Sequence, residues 1–419
     1  MSSVTQAVPL RRDAEVIGLV GIAHASSHFF HLVLPPLFPW LMKEFDLTYT
    51  QVGFLITVFF VISGIGQAVA GFVVDRVGAR PVLLFGVGTL ALSGVLLGFA
   101  GGYSGLIAAA AVAGTGNSIF HPADFTLLNR RVSTRRLGHA FSVHGLSGNL
   151  GWALAPGFMA GIATLAGWHV AAFCAAALAA AVFLLLVVRR DVLHDHAAEP
   201  LVASRAGPPE TGGGSQFGFL RSGAVWMCFI FFLCATGAFG VLQSYAPAIL
   251  GNVYGLPVAM ATAGLTGYLL GSAGGTVVGG FVAAKTENSD RVIGLALGGS
   301  ALVALLLASA ILPAWSVLVL MAGMGFGVGV AGPSRDLLVR KAATARFGKS
   351  SYGRIYGFVY SGLDLGLATT PLIFGPMLDQ GRFSAPLVGI AVLQCLALAS
   401  AARVGQGVRA GRAAQGAGS

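Results

Sequence analysis

The feature that most constrains this chain is a succession of apolar runs, each long enough to cross a lipid bilayer. A membrane-spanning helix needs about 20 apolar residues. The runs are continuously apolar, which favours helices over the alternating strands of a membrane barrel. Twelve helical spans are predicted, at 16–42, 49–74, 81–100, 104–129, 138–164, 168–188, 222–249, 258–284, 292–312, 314–339, 354–378 and 384–402.

The charge content supports a lipid-embedded protein. Only 10% of the residues are charged, whereas a soluble domain carries about 25%. The net charge of +10 comes from basic residues that lie between the apolar runs. It therefore reflects membrane topology, and we expect a lipid bilayer rather than a nucleic acid as the partner.

The distribution of Lys and Arg predicts the orientation. With both termini in the cytoplasm, twenty-two basic residues fall on the inner side and only Lys43 and Arg382 on the outer side, with Arg335 inside a span. This bias agrees with the positive-inside rule. We expect a multi-pass protein of the bacterial inner membrane with both termini cytoplasmic.

A polar stretch divides the spans into six and six. Residues 189–221 contain the run Gly-Pro-Pro-Glu-Thr-Gly-Gly-Gly-Ser at 207–215, whose composition is typical of a flexible linker. The predicted division is an N-terminal six-helix bundle at 1–188, a cytoplasmic linker at 189–221, a C-terminal bundle at 222–402 and a cytoplasmic tail at 403–419.

The two halves carry an internal repeat. Four positions of the fourth span recur in the tenth at an offset of 211, and four of the fifth recur in the eleventh at an offset of 215. Parallel repeats place a substrate site near the membrane midplane, with alternating access. The predicted fold is an all-α membrane protein with two pseudo-symmetric six-helix bundles, a carrier and not an enzyme. The pairs are Gly114/Gly325, Gly116/Gly327, His121/Gly332, Pro122/Pro333, Gly138/Gly353, Leu150/Leu365, Gly151/Gly366 and Pro156/Pro371.

The loop between spans two and three carries a family motif. Residues 71–80 read Gly-Phe-Val-Val-Asp-Arg-Val-Gly-Ala-Arg, which resembles the G-x-x-x-D-R-x-G-x-R signature of the major facilitator superfamily. The resemblance implies a cytoplasmic gate in which the acid and the arginines pair, while the glycines permit a tight turn. The alternative is a plain basic loop. The gate residues are Gly71, Asp75, Arg76, Gly78 and Arg80.

Four further segments resemble the branch of this superfamily that includes fosmidomycin-resistance efflux proteins. They are residues 27–29, 47–53, 120–122 and 148–151. The resemblance implies proton-coupled export. Where that branch tends to show His-Pro-Glu, this chain reads His121-Pro122-Ala123-Asp124, so the acidic group is displaced by one position.

Three histidines line one face of the first span. His24, His28 and His31 are spaced by four and three residues, and such spacing aligns side chains on a helix. A histidine titrates near neutral pH and can carry a proton through a transport cycle; hydrogen bonding to neighbouring helices is the alternative. Because no carboxylate or thiol accompanies them at ligand spacing, no metal ion and no other cofactor is expected.

The fourth and tenth spans place ionisable groups at matching positions. Asn117, His121 and Asp124 share a helical face, and Arg335 occupies the repeat slot of Asp124. Asp124 is interpreted either as a gate or structural residue or as a proton carrier. Arg335 either closes an inter-bundle salt bridge or binds an anion, since guanidinium suits carboxylates.

A carboxylate in the eleventh span is the preferred proton-coupling candidate. Asp364 lies near mid-depth, and its repeat partner is Asn149. Ionisable groups at that depth are costly and default to a functional hypothesis; a tie to a neighbouring Ser or Tyr is the alternative. Other candidate cavity groups are His144, Gln243, Tyr245, Tyr356 and Tyr360.

These patterns predict a monomeric, proton-coupled secondary transporter. Its partners are protons and a small organic solute, anionic or amphipathic, moved by alternating access, with drug efflux as one direction. The alternative is a carboxylate importer that uses Arg335 as its anion contact.

Overall fold

The computed structural model describes residues 10–194, 218–286, 288–347 and 352–416. Over these ranges the regular structure is helical, with short 3₁₀ turns at Pro35–Leu37, Thr134–Arg136 and Gly218–Arg221. The α-helices are α1 Leu10–His31, α2 Phe38–Phe45, α3 Tyr49–Val77, α4 Ala79–Gly98, α5 Tyr103–Asn117, α6 Phe120–Arg131, α7 Leu137–Ala166, α8 Trp168–Val188, α9 Gly223–Tyr254, α10 Val258–Lys285, α11 Ser289–Ala308, α12 Ser316–Phe347, α13 Tyr352–Asp379 and α14 Ala385–Gly416.

Ten segments of the described chain are long and apolar enough to cross a membrane. The two other predicted spans are also helical, although they are not among these ten segments. The fourth is split into α5 and α6, so neither piece has the length of a span by itself, and the eleventh is the 28-residue helix α13. The predicted all-α, twelve-helix membrane fold is therefore confirmed.

Two spans that the sequence presents as continuous are broken helices. The first span bends after His31, where Pro35 and Pro36 form a 3₁₀ turn before α2. Proline lacks the N–H that a continuing helix needs and clashes with the preceding turn. The fourth span breaks at Ser118 and Ile119. Both breaks fall near the middle of their spans and leave polar side chains there.

Contacts divide the chain into two compact units. Unit 1 comprises Met1–Leu37 with Val61–Ser204, and unit 2 comprises Phe38–Phe60 with Arg205–Ser419. The segment Phe38–Phe60, which holds α2 and the start of α3, therefore groups with the later helices. Most of the predicted linker, at 195–217, lies outside the described residues, so the predicted domain boundaries stay a prediction.

Unit 1 is assembled from close contacts between helices. Helix α1 packs on α6 and α7, while α4 packs on α5, α6 and α8. Small residues permit these approaches: a Cβ at Gly94 of α4 would lie 2.9 Å from the backbone nitrogen of Ala176 in α8. Since lipid offers no hydrophobic drive for association, such close packing is what holds membrane helices together.

Unit 2 contains a glycine stripe between α10 and α12. A Cβ at Gly271, Gly275 or Gly279 of α10 would overlap a carbonyl oxygen of α12. In return, a Cβ at Gly325 or Gly329 of α12 would overlap a carbonyl oxygen of α10. The two backbones thus touch directly. The repeated Gly325 of the sequence analysis is one of these contact points.

Two helices extend beyond the predicted spans. Helix α12 continues to Phe347 and α14 continues to Gly416. The apolar parts, Ser316–Arg335 and Ala385–Gly407, end earlier. The predicted tail at 403–419 is therefore helical through Gly416, and its last three residues lie outside the described chain.

Candidate functional site

Polar side chains meet at the centre of unit 1. Ser63 is the middle residue of α3, Asn117 closes α5 at the break of the fourth span, and Trp152 is central in α7. Ser27 lies midway along the candidate span Leu10–Phe45. Four spans therefore contribute a polar group at the same depth, where such groups mark substrate or ion pathways.

The Asn117 amide joins these helices. Its Oδ1 accepts hydrogen bonds from Ser27 Oγ at 2.6 Å and from His31 Nε2 at 3.0 Å. Its Nδ2 donates to Ser63 Oγ at 2.8 Å. The side chain is buried. Its oxygen bonds to α1 and its nitrogen bonds to α3, so the amide links these two helices to α5.

The contacts of His31 define its tautomer. The indole Nε1 of Trp152 lies 3.1 Å from His31 Nδ1, and an indole nitrogen can only donate. His31 Nδ1 must therefore accept, and Nε2 carries the hydrogen that is donated to Asn117 Oδ1. The imidazole is neutral in this arrangement and connects α7 to the amide network.

A second cluster, formed by Asp124, His24 and His144, lies one to two helical turns from the Asn117 network along the same spans. The carboxylate Oδ2 of Asp124 is 3.0 Å from His144 Nε2 and 3.2 Å from His24 Nδ1. The rings of His24 and His144 stack with centroids 3.6 Å apart. Asp124 is fully buried, and both histidines are nearly so. A fully buried carboxylate needs polar partners, and these two imidazoles lie against it.

Two further imidazoles adjoin this group. His28 lies against His24 with ring centroids 4.4 Å apart, and His121 lies 5.4 Å from His24. The Nδ1 of His121 is 2.7 Å from Gln67 Oε1 of α3. Gly148 of α7 makes room for the rings, since a Cβ there would lie 2.7 Å from His28 Nδ1 and 3.0 Å from His24 Nε2.

The structure thus brings together the predicted residues of the first and fourth spans. The remaining proton-coupling or substrate candidate of this unit, Asn149, is half-buried on α7 next to Gly148. The sequence argument against a metal ion was the absence of a carboxylate at ligand spacing along the chain, and the fold supplies one from α6. The gathered residues are His24, His28, His31, Asn117, His121, Asp124 and His144.

The other predicted residues belong to unit 2. Gln243 is fully buried in α9, and Asp364 is half-buried near the middle of α13. The guanidinium of Arg335 lies 4.7 Å from the ring centroid of Phe232, a cation–π contact within the same unit. The pairing of Arg335 with Asp124 across the bundles stays a prediction. Tyr245 donates to the carbonyls of Tyr49 and Pro371, and the side chains of Tyr356 and Tyr360 lie outside the described residues.

Comparison with known proteins decides the family. The model of the Major Facilitator Superfamily matches residues 20–371, most of the chain. The chain belongs to the Major Facilitator Superfamily.

Two named relatives are similar to this chain in sequence. The fosmidomycin resistance protein of Escherichia coli (strain K12) is 29% identical over 365 residues, covering 87% of each chain. A probable 4-methylmuconolactone transporter of Cupriavidus pinatubonensis is 34% identical over 119 residues, or 28% of each chain. Among solved structures, a bacterial homologue of the human lysosomal transporter Spinster superposes with a TM-score of 0.74 at 14% identity, covering 95% of this chain and 98% of that one.

The superfamily loop motif forms a one-residue turn. Gly78 alone separates α3 from α4, and its φ of 91° lies in the region that favours glycine. Asp75 and Arg76 are exposed at the end of α3, with Gly71 one turn earlier. The Nη1 of Arg80 donates to the carbonyl of Arg190 at 3.4 Å. The geometry explains Gly78, while the role of the charged residues as a gate stays a prediction.

Four members of the site were not among the predicted residues: Ser27, Ser63, Gln67 and Trp152. Ser63 and Gln67 stand four residues apart in the otherwise apolar stretch 58–74, so their shared helical face was the available signal. From the sequence alone Trp152 is interpreted as a packing residue, because no sequence pattern shows that its indole nitrogen lies close to His31.

Proposed function

We propose that this superfamily member is a proton-coupled secondary transporter of a small anionic or amphipathic organic solute, working by alternating access. The observation that carries the proposal is the hydrogen-bonded network of Asn117 at the centre of four spans. Polar groups of this kind line substrate routes in membrane proteins. No catalytic role is proposed for them, since the superfamily consists of transporters.

The solute class follows from the chemistry of the network. Serine hydroxyls, an amide and a neutral imidazole make the centre of the unit polar, and Trp152 supplies an aromatic face beside them. Such a surface suits an organic solute with both polar and apolar parts. The 29% identity with the fosmidomycin resistance protein over 87% of both chains supports efflux as the direction.

We assign proton coupling to Asp364. It is an acidic group at the middle of α13, half-buried, and the pseudo-symmetric position on α7 holds the uncharged Asn149. A carboxylate in a span is costly and is kept where it serves a function. Alternate protonation of this group in the two access states couples solute movement to the proton gradient.

Proteoliposome transport of a labelled solute tests this assignment. Asp364→Asn should abolish uphill accumulation driven by a pH gradient but leave counterflow exchange intact, because exchange needs no net proton movement. The matched control is Asp191→Asn, which changes an exposed carboxylate after α8. Unchanged uphill transport by the Asp364 variant would remove this residue from coupling, and retained counterflow shows that the variant is folded.

The similarity to the probable 4-methylmuconolactone transporter favours a second candidate, import of an organic acid. The two directions predict opposite growth phenotypes for a deletion strain. An efflux protein leaves the strain sensitive to toxic compounds, whereas loss of an importer removes growth on the acid.

We also propose that the protein is monomeric, resides in the bacterial inner membrane and keeps both termini in the cytoplasm. The excess of basic residues in alternate loops supports this orientation. Labelling of a cysteine introduced at position 409, with reagent added on either side of the membrane, tests the orientation. Reaction with reagent added from the outside would show that the orientation is the reverse of the proposed one.

A further inference from the structure

We propose that unit 1 binds one divalent first-row transition-metal cation, of the class of Zn²⁺ or Co²⁺, through His24, Asp124 and His144. These three side chains come from α1, α6 and α7. Their ligand atoms all lie within 4.8 Å of one another. The proposal concerns a cation site in unit 1, and it stands apart from the coupling role of Asp364.

The two distances to the carboxylate fit tetrahedral coordination. In a tetrahedral zinc site with bonds of about 2.0–2.1 Å, neighbouring ligand atoms are about 3.3 Å apart. The two nitrogen–oxygen distances to Asp124 Oδ2 are 3.0 Å and 3.2 Å. The ligand nitrogens of His24 and His144 lie within 4.8 Å of each other. Because the two rings stack with an interplanar angle of 23°, one ring must rotate about its side-chain bonds before both lone pairs point at one ion. A fourth position is left for water or another ligand.

Unpartnered polar atoms at the same place point to a ligand. His24 Nδ1, His28 Nδ1 and Asp124 Oδ1 are buried and have no hydrogen-bond partner among the residues that the structure describes. Each unsatisfied buried group costs free energy. His24 Nδ1 faces the carboxylate without hydrogen-bond geometry. A cation bound to the carboxylate would give His24 Nδ1 a partner, and it would reach Asp124 Oδ1 as well when the carboxylate binds through both oxygens.

A second set of nitrogens adjoins the first. His28 and His121 share His24 as a common member, and the ligand atoms of this second set also lie within 4.8 Å of one another. His121 is exposed, whereas His24 and His28 lie deeper in the unit. The second set therefore places two further imidazoles beside the proposed ligands.

The donor set selects the class of cation. Two imidazole nitrogens and one carboxylate oxygen suit zinc and its first-row neighbours. Calcium and magnesium require oxygen ligands in larger number. The single acidic group neutralises part of the charge of a divalent ion. A site made of imidazoles alone would leave the whole charge uncompensated in the membrane interior.

Cobalt titration of the purified full-length protein in detergent, with any affinity tag removed, tests the proposal. We expect one Co²⁺ per chain, visible absorption bands typical of tetrahedral cobalt, and displacement by Zn²⁺ but not by Mg²⁺. Asp124→Asn and His144→Ala should each weaken binding by more than about tenfold, since loss of a ligand costs at least as much as loss of a partner outside the ligand set.

The controls separate this site from surface histidines. His139→Ala removes an exposed imidazole of the same helix, α7, and should leave binding unchanged. Asp124→Asn keeps the shape and an oxygen acceptor for His144, so it tests the charge even if the alanine variant fails to fold. Affinity equal to wild type in Asp124→Asn, or cobalt bound only weakly and without tetrahedral bands, would overturn the proposal.

Discussion

Replacement of Asn117 by alanine tests whether one amide holds the centre of unit 1 together. The side chain makes three hydrogen bonds, to Ser27, His31 and Ser63, and so connects α5 to both α1 and α3. Alanine removes all three and leaves buried partners on two other helices without their bond. The change is small in volume, so its effect reports on hydrogen bonding.

The expected magnitude follows from bonds between membrane helices. Each such bond contributes about 0.6 kcal/mol on average and at most about 1.7 kcal/mol. Three bonds therefore predict a loss of about 2 kcal/mol in the free energy of unfolding. Ser63→Ala removes one of them and should cost about 0.6 kcal/mol by the same reasoning.

Reversible unfolding in mixed detergent micelles measures both variants. The matched control is Thr115→Ala, two residues from Asn117 on the same helix, where the exposed hydroxyl bonds only to the carbonyl of Ala111 in its own helix. If Asn117→Ala lowers stability no more than this control does, the amide does not hold the helices together. Combination with Ser63→Ala should cost less than the two changes added, because both remove the same bond.

Two further changes test contacts in unit 2. Asp379 of α13 accepts hydrogen bonds from the backbone N–H groups of Tyr49 and Thr50 and so caps the start of α3. Asp379→Asn should lower the free energy of unfolding by about 1–2 kcal/mol, since hydrogen bonds to a charged group are the stronger ones. A melting temperature equal to that of the wild type would refute the cap. Gly329→Ala should lower the free energy of unfolding by about 1–3 kcal/mol, because the new Cβ overlaps the α10 backbone. Gly323 has open space around it, so Gly323→Ala should be neutral or stabilising. Equal melting temperatures for the two alanine variants would contradict the direct backbone contact.

The sequence was sufficient for the helix count because lipid imposes a simple length rule. Twelve apolar runs predict twelve spans, and the described helices agree with them. The loop at 71–80 likewise predicted the family that the comparison shows. The hydropathy of the runs did not predict the breaks after His31 and at Ser118, because an apolar run has the same hydropathy whether its helix is continuous or kinked. For the first break, Pro35 and Pro36 were the available signal.

The candidate site was predicted in part. The spacing of His24, His28 and His31 placed them on one face, and the fourth span supplied Asn117 and Asp124. Helical periodicity relates residues within one span, so it does not show which spans are neighbours. The contacts of Asn117 with Ser63 and of His31 with Trp152 are of that second kind.

By itself, the sequence determined that lipid solvates this chain and that polar groups inside its spans are few enough to be noticed one by one. Only the tertiary structure decided which of them meet. It placed the carboxylate of Asp124 against His24 and His144, and it kept Arg335 beside Phe232 in the other unit. The physical reason is that a membrane span is specified by its hydropathy alone, whereas the partners of a buried charge are specified by helix packing, in which small residues such as Gly148 determine how closely the side chains approach.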